Sequence, residues 1–134
     1  MSNTDIAADE VARRIAEDDT EDLFVLDVRN EDDYEEWQIP GSTNLPVYDE
    51  LLSHDYSGLE DHVDELPEDT EIAVVCVAGV TSARAAEFLR ERGYDAKSIP
   101  NGMNSWGRVH REYAVPGVDG VVQIVRPGTG CVSY

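Results

Sequence analysis

Apolar residues recur along the chain with two spacings, one typical of helices and one typical of buried strands. Between residues 5 and 18 the apolar positions lie three or four residues apart, which predicts an amphipathic helix that a short strand can precede. Nearly continuous apolar runs at residues 23–28 (LFVLDV) and 72–77 (IAVVCV) contain β-branched residues and predict buried strands. A further strand is predicted at residues 94–99.

The segments between these runs predict the remaining elements. Pro40 and Gly41 indicate a turn, because proline fixes its own backbone angle and glycine tolerates positive φ. Helices are predicted at residues 31–37, in one or two pieces over 48–65, from Ser82 as the cap to Gly93, and over 103–113, with a brief strand at 44–47. Strands that alternate with helices predict an α/β fold with a central parallel sheet of about five strands and helices on both faces.

The length of the chain favours one domain. Its 134 residues can bury a core without disulfides or metals. We predict a folded domain over residues 1–113 and a C-terminal extension over 114–134, with one added strand at 121–125 and a loose tail. No run of 18 apolar residues occurs and the first 20 residues are polar, so we expect neither a spanning helix nor a signal peptide, and hence a cytoplasmic protein.

The charge balance is strongly acidic, with 29 acidic residues against 10 basic ones and a net charge of −19. Such a charge repels itself in dilute buffer, but at about 1 M salt the screening length falls to about 3 Å. Because the acids are spread over nearly every segment, we predict a salt-adapted protein, as in haloarchaea; an acidic protein from a moderate-salt organism is the alternative. The same charge disfavours stable binding to nucleic acid or to anionic membranes.

Cys76 and Cys131 are the two cysteines of the chain, too few for a disulfide framework, which indicates a reducing compartment and free thiols. Cys76 follows a predicted strand and precedes a glycine-containing loop and a helix, where open α/β sheets build binding sites. Loop amides and the helix N-terminus can stabilise a sulfur anion, so we expect a lowered thiol pKa and a sulfur exposed enough to react. A second interpretation is a small buried apolar residue that completes a core strand.

A stabilised thiolate at this position can attack a sulfane sulfur, and the resulting persulfide is again an anion that the same donors can hold. Motifs in a fixed order along the chain resemble the rhodanese family. They are Asp27-Val28-Arg29, Ile39-Pro40-Gly41, Asn44-Leu45-Pro46, Cys76-Val77-Ala78-Gly79-Val80-Thr81-Ser82, Gly93-Tyr94 and Gly102-Met103 with Trp106. The resemblance implies a rhodanese domain with a central parallel sheet, sulfurtransferase activity, Cys76 as the sulfur-bearing nucleophile, and an active-site loop around it formed by Val77, Ala78, Gly79, Val80, Thr81 and Ser82.

The loop departs from many family members at two positions. Val77 and Thr81 stand where a family member often has Arg or Lys to hold thiosulfate or a similar anion. This departure makes a neutral or protein-bound persulfide relatively more attractive as the donor. The hydroxyls of Thr81 and Ser82 can donate to the sulfur, although capping of the helix is the simpler role for Ser82.

Other polar residues have mainly structural interpretations. Asp27 is expected to accept loop hydrogen bonds at a strand end and Arg29 to pair with a carboxylate near the site. Cys131 either resolves the persulfide, forms a disulfide with Cys76, or is an uninvolved second thiol. The three histidines are isolated from each other and from the cysteines, so we expect no metal site and no cofactor.

The leading hypothesis is an enzyme that moves a sulfane sulfur from a small donor, thiosulfate or a persulfide, to a small thiol or a protein acceptor. One alternative is a non-catalytic rhodanese-like module that binds or regulates a partner. A weaker alternative is an arsenate reductase or phosphatase, since that chemistry uses a longer loop closed by an arginine, and Ser82 occupies its place. The pattern does not indicate the pathway or the oligomeric state.

Overall fold

The computed structural model describes residues 4–113, with side chains as far as residue 108. Within this part of the chain, four parallel strands form one sheet in the order β2-β1-β3-β4. The strands are β1 (Leu23–Asp27), β2 (Thr43–Asn44), β3 (Glu71–Val75) and β4 (Asp95–Ser98). The helices are α1 (Ala8–Ala16), α2 (Glu31–Glu36), α3 (Tyr48–Leu52), α4 (Ser57–His62), α5 (Val80–Glu91) and α6 (Gly102–Tyr113), and a 3₁₀ turn covers Val63–Glu65.

Strand residues alternate between two apolar cores, one on each face of the sheet. On β3, Ile72 and Val74 face the core shared with α3, α4 and α5. Ala73 and Val75 face the core shared with α1 and α6, in which Trp106 is completely buried. Helices therefore cover both faces of a parallel sheet, which confirms the predicted α/β architecture.

The predicted number of about five strands is wrong by one within the described residues. The N-terminal segment reaches the edge of β4, where the Ile6 N–H donates to the Ser98 carbonyl (3.0 Å) and the Ser98 N–H donates to the Thr4 carbonyl (2.9 Å). These bonds make a single bridge between Asp5 and Ser98 rather than a strand. Since α1 begins at Ala8, too few extended residues remain to form a ladder.

All four strands end before the predicted residue, β1 and β4 by one residue and β2 and β3 by two or three. The brief strand expected at residues 44–47 lies at Thr43–Asn44, because Pro46 has no N–H with which to continue the ladder. The strand expected at residues 72–77 ends at Val75, because the Cys76 carbonyl accepts a hydrogen bond from the Met103 N–H of α6 (2.8 Å) instead of from a strand. Cys76 is therefore the first residue of the loop.

The predicted extension over residues 114–134, its strand at 121–125 and Cys131 lie outside the described residues. None of the helices between residues 4 and 113 combines the length and the apolar character that crossing a bilayer requires.

Candidate active site

Cys76 lies where β3 leaves the sheet, between two helices that begin beside it. The loop of residues 77–79 connects it to α5, and the first turn of α6 packs against the same loop. Because β3 is one of the two central strands, this position is at the carboxyl edge of the sheet and next to the N-terminus of α5. This is the edge at which open parallel sheets place their ligands.

Three hydrogen-bonding groups surround the Cys76 sulfur. The N–H of Gly79 donates to Sγ at 3.1 Å and the N–H of Ser82 at 3.3 Å. The Ser82 hydroxyl is also 3.3 Å from Sγ and is able either to accept from the thiol or to donate to the thiolate. The loop and the first turn of α5 therefore form a small ring of donors around one sulfur atom.

These donors favour the thiolate over the thiol. Burial raises the pKa of the Cys76 thiol, but the hydrogen bonds from Ser82 and Gly79, together with the nearby Thr81 hydroxyl, outweigh it and hold that pKa below its ordinary value. The Thr81 hydroxyl is near enough to contribute, yet it has no partner at ordinary hydrogen-bond geometry among the described residues. We therefore expect a reactive sulfur with one further hydroxyl available beside it.

The expectation of an exposed sulfur is wrong in this conformation. Cys76 is 1% exposed, and Thr81 and Ser82 are equally buried. The reason is the donor ring itself, because amides that approach a sulfur to 3.1–3.3 Å also cover it. Two large apolar residues of the loop region, Val77 and Val80, are exposed on its outer side (36% and 57% exposed).

Ser82 does not cap α5 as predicted. The helix begins at Val80 with Gly79 at the N-cap position in a left-handed conformation (φ 99°). Ser82 is therefore the third residue of the helix, and its hydroxyl points to the Cys76 sulfur and to the hydroxyl of Ser98 on β4 (2.8 Å). The early start of the helix is what brings the Ser82 N–H to the sulfur.

The first turn of α6 holds the carbonyl groups of the loop. The Met103 N–H donates to the Cys76 carbonyl (2.8 Å) and the Asn104 N–H to the Val77 carbonyl (3.3 Å). With these two carbonyls bound on the side of α6, the loop amides that follow are free to face the sulfur. The sequence pattern gave Met103 and Asn104 no such role, since the contact depends on how α6 packs beside β3.

Two glycines allow this close packing. A Cβ on Gly79 would approach the Asn101 nitrogen to 2.8 Å, and a Cβ on Gly102 (φ 53°) would overlap the Cys76 carbonyl oxygen. Asn101 itself has a positive φ of 62°. An Asn-Gly pair shortly after a strand is the signal in the sequence for such a tight turn.

Asp27 and Arg29 lie at the end of β1 and bind each other. The Arg29 guanidinium makes a bidentate pair with the Asp27 carboxylate (2.8 and 3.0 Å), and both side chains are buried. Arg29 also donates to the carbonyls of Asp33 (3.2 Å) and Trp37 (2.7 Å). These contacts tie α2 to the sheet and pair the Arg29 charge with the Asp27 carboxylate.

The loop itself carries no charged side chain. Arg84, the nearest cation in the sequence, donates to the carbonyls of Leu51 (2.8 Å) and Leu52 (3.4 Å) at the end of α3. Between residues 4 and 113, no group of three or more His, Cys, Asp or Glu residues is placed to hold a metal ion. The amide and hydroxyl donors around the Cys76 sulfur are groups that can hold a sulfur anion.

Comparison with known proteins finds relatives that are similar in sequence to this chain. The adenylyltransferase and sulfurtransferase MOCS3-1 of Zea mays is 36% identical over 92 residues, which are 68% of this chain and 19% of the maize protein. The thiosulfate sulfurtransferase GlpE of Pseudoalteromonas translucida is 32% identical over 95 residues, covering 70% of this chain and 82% of that protein. The chain thus spans about a fifth of one relative and most of the other.

Solved structures share the fold. The crystal structure of a rhodanese-related protein from Thermoplasma volcanium superposes with a TM-score of 0.63 and 28% identity, over 78% of this chain and 90% of that one. A family model described as a rhodanese-like domain matches residues 7–108. The chain belongs to the family of rhodanese-like domains.

Proposed function

We propose that the protein transfers a sulfane sulfur and carries it as a persulfide on Cys76. The observation that supports this proposal best is the ring of donors around one buried sulfur, formed by the Gly79 and Ser82 amides and the Ser82 hydroxyl. Such donors stabilise a thiolate and a persulfide alike, because both are sulfur anions. Relatives named sulfurtransferases support rhodanese-type chemistry at the level of the family.

The first half-reaction loads the cysteine. The Cys76 thiolate attacks the outer sulfur of a donor R–S–SH, and its electron pair forms the new S–S bond. The S–S bond of the donor breaks, and the donor leaves as a thiol after taking up the proton of the transferred sulfur. The enzyme then holds Cys–S–S⁻ with the charge on the outer sulfur.

The second half-reaction returns the cysteine to its starting state. The acceptor thiol gives its proton to the outer sulfur, and its thiolate then attacks that sulfur. Cys76 leaves as a thiolate, and the proton stays on the new persulfide of the acceptor. The leaving group is stabilised by the same amides that favour the thiolate before loading. One site therefore serves both steps without a cofactor.

Thr81 is proposed to bind the transferred atom. Its hydroxyl is buried and without a partner at hydrogen-bond geometry among the described residues, which is costly unless a ligand completes it. An additional sulfur on Cys76 places a new acceptor beside this hydroxyl. The persulfide would then gain a donor that the thiol form lacks.

The neutral loop favours a persulfide donor over thiosulfate. A dianion such as thiosulfate needs compensating charge, yet Arg29 is paired with Asp27 and Arg84 binds the end of α3. The outer side of the loop instead presents the apolar side chains of Val77 and Val80. We therefore propose a low-molecular-weight or protein-bound persulfide as the donor.

We propose a small thiol or a protein thiol as the acceptor. Among the relatives, one of Bacillus subtilis is named a putative sulfur carrier protein, and it is 33% identical over 92 residues. An exposed apolar rim with no cation in the loop suits an acceptor sulfur presented on a neutral, flexible segment.

A non-catalytic binding module is the second candidate, and the 1% exposure of Cys76 favours it. For transfer to occur, the loop must open or the outer sulfur must extend beyond the donor ring. The two candidates therefore differ in whether the buried sulfur exchanges with a donor in solution.

Intact-mass spectrometry after incubation with glutathione persulfide tests the proposal. We expect a gain of one sulfur, about 32 Da, on Cys76, and a loss of this gain when an acceptor thiol is added. Cys76→Ser should abolish the gain, whereas the matched variant Cys131→Ser should retain it. No gain on the parent protein under any donor would overturn the sulfurtransferase proposal and leave the binding module.

The same assay compares donors at molar KCl. We expect the persulfide to load Cys76 faster than thiosulfate at equal concentration. Faster loading by thiosulfate would contradict the proposed donor class and leave the persulfide mechanism intact.

A further inference from the structure

The hydrogen bonds around the sulfur continue beyond the loop to another strand of the sheet. The Ser82 hydroxyl, which is 3.3 Å from the Cys76 sulfur, is also 2.8 Å from the hydroxyl of Ser98. Ser82 is fully buried and Ser98 is 3% exposed. Sulfur and two hydroxyls therefore form an unbroken chain of hydrogen bonds inside the protein.

The sheet places Ser98 at this point. Ser98 pairs with Val74 in the parallel register of β3 and β4, and Cys76 follows Val74 by two residues. Because side chains alternate along a strand, Ser98 lies on the same face as Ala96, which is in the core beneath α5. Ser82 of α5 meets the serine of β4 on that face.

The backbone of Ser98 is held on its outer side as well. Its N–H donates to the Thr4 carbonyl (2.9 Å), and its carbonyl accepts from the Ile6 N–H (3.0 Å). These bonds engage both backbone groups of Ser98. Among the described residues, the hydrogen-bond partner of its hydroxyl is Ser82.

The direction of the chain depends on the state of the sulfur. A thiolate has no proton and only accepts, so Ser82 must then use its single proton to donate to the sulfur. The bond between the two serines persists only if Ser98 donates to Ser82. In the thiol state the thiol donates to Ser82, and the Ser82 proton is then free to be donated to Ser98.

A serine inside a helix has a competing choice. Its hydroxyl commonly donates to the carbonyl four residues earlier, which for Ser82 is that of Ala78 in the loop. If another hydroxyl donates to the Ser82 oxygen, it occupies one lone pair of that oxygen, and the Ser82 proton then points away from this donor. For Ser82, this direction is toward the Cys76 sulfur.

We propose that Ser98 is a positioning residue, whose hydroxyl donates to Ser82 and keeps the Ser82 proton directed at the sulfur of Cys76. The inference rests on the proposed function in that Cys76 is taken as the sulfur carrier. It concerns the free thiolate of Cys76, however, and applies before any donor has reacted.

Charged groups near the sulfur do not supply this effect. The hydrogen-bond partners of the sulfur, Gly79 and Ser82, are neutral. The charged side chains on the surrounding elements engage other groups: Arg29 after β1 binds Asp27, Arg84 on α5 binds the end of α3, and Lys97 on β4 binds Glu71. The thiolate therefore depends on hydrogen bonds, and a lost hydroxyl should change its titration.

The pH profile of Cys76 alkylation by iodoacetamide tests the proposal. The measurement uses the full chain in a Cys131→Ser background, so that Cys76 is the one remaining thiol. We expect Ser98→Ala to move the midpoint of the profile to higher pH and to lower the rate below the midpoint about threefold to tenfold. An unchanged midpoint would overturn the proposal.

A matched control separates positioning from general destabilisation. Ser105→Ala also removes a buried serine hydroxyl, on α6, and Ser105 contacts Arg108 rather than the sulfur. We expect this variant to keep the midpoint of the parent. A shift equal to that of Ser98→Ala would assign the effect to loosened packing and overturn the proposal.

A double variant tests whether Ser98 acts through Ser82. Ser82→Ala should itself raise the midpoint, and the addition of Ser98→Ala should then change it little further. Additive shifts would contradict the chain of hydrogen bonds. If Ser98→Ala does not fold, Ser98→Thr retains a hydroxyl and should keep the parent midpoint, and a raised midpoint in that folded variant would equally contradict the proposal.

This result and the sulfur-loading result are independent. A shifted midpoint in Ser98→Ala without any loading of the parent by a persulfide would support the hydrogen-bond chain and reject sulfur transfer. Loading of the parent by a persulfide together with an unshifted midpoint in Ser98→Ala would support sulfur transfer and reject the hydrogen-bond chain.

Discussion

Gly102, which has no side chain, contributes to the geometry around Cys76 as much as the cysteine does. Gly102 lies directly against the Cys76 carbonyl, and the Met103 N–H behind it binds that carbonyl at 2.8 Å. The positive φ of Gly102 and this close approach both require a residue without Cβ. The orientation of the first loop peptide, and hence of the amides after it, depends on this contact.

Gly102→Ala is therefore expected to disturb the loop, whereas Gly41→Ala is not. Gly41 also has positive φ (81°) but nothing lies near its Cβ position, so its variant should cost only about 1–2 kcal/mol of unfolding free energy. Gly102→Ala should cost at least about twice as much, because overlap adds to the strain. Denaturant unfolding measures both, and iodoacetamide alkylation of Cys76 should slow only in Gly102→Ala. Equal effects on stability would contradict the role of close approach.

Among the elements, β3 carries an ion cluster at the end opposite the candidate site. Glu71 accepts hydrogen bonds from Arg14 of α1 (2.8 Å) and from Lys97 of β4 (2.7 Å), and it is the first residue of β3. All three side chains are largely buried (12–20% exposed). This carboxylate therefore links a helix and two strands in a protein that has one lysine.

Glu71→Gln should lower stability in a manner that depends on pH. Burial raises the pKa of Glu71, but the hydrogen bonds and charges of Lys97 and Arg14 outweigh it and lower that pKa. The contribution is therefore present above the unfolded pKa and is lost as the pH falls through the folded pKa. We expect the variant to lose about 1 kcal/mol or more near pH 7, and the difference from the parent to shrink below about pH 4.

Urea titrations at several pH values measure this difference. Glu10→Gln is the matched control, because Glu10 pairs with Arg13 on the surface of α1, where both side chains are about two-fifths exposed (41% and 43%). An exposed pair contributes little to stability. A loss in Glu71→Gln that did not change with pH would contradict the assignment to its carboxylate.

At the scale of the whole molecule, charge repulsion opposes folding. A net charge of −19 on 134 residues is spread over the chain, and the described ion pairs engage a small part of the acidic side chains. Screening by salt weakens this repulsion without altering the buried cores. Salt concentration should therefore shift the folding equilibrium.

Thermal unfolding in KCl tests the predicted salt adaptation. We expect the melting temperature at pH 7 to rise by several degrees or more between about 0.1 M and 2 M KCl, where the screening length becomes only a few ångströms. Near pH 4, where many carboxylates gain protons, the same addition of salt should have a smaller effect. A melting temperature that did not depend on KCl at pH 7 would contradict salt adaptation.

Sequence by itself determined the class of fold and the identity of the candidate residue. The apolar runs that became β1 and β3, the helical spacing of α1 and the glycine that ends α5 are local signals, since each arises from contacts or dihedral angles within one element. Cys76 was identifiable for the same reason, because the residues next to it in the sequence show that it follows a buried strand and precedes a helix.

Only the tertiary structure decided how that residue is surrounded. The helix start at Val80, the burial of the sulfur, the hold of α6 on the loop and the bond from Ser82 to Ser98 all join segments that are distant in sequence. Such contacts depend on strand register and on helix packing, which shift by one residue or one turn without any change in the local pattern. The sequence therefore indicated which atom is the candidate for the reaction, and the packing of β4, α5 and α6 around it determined which groups hold that atom.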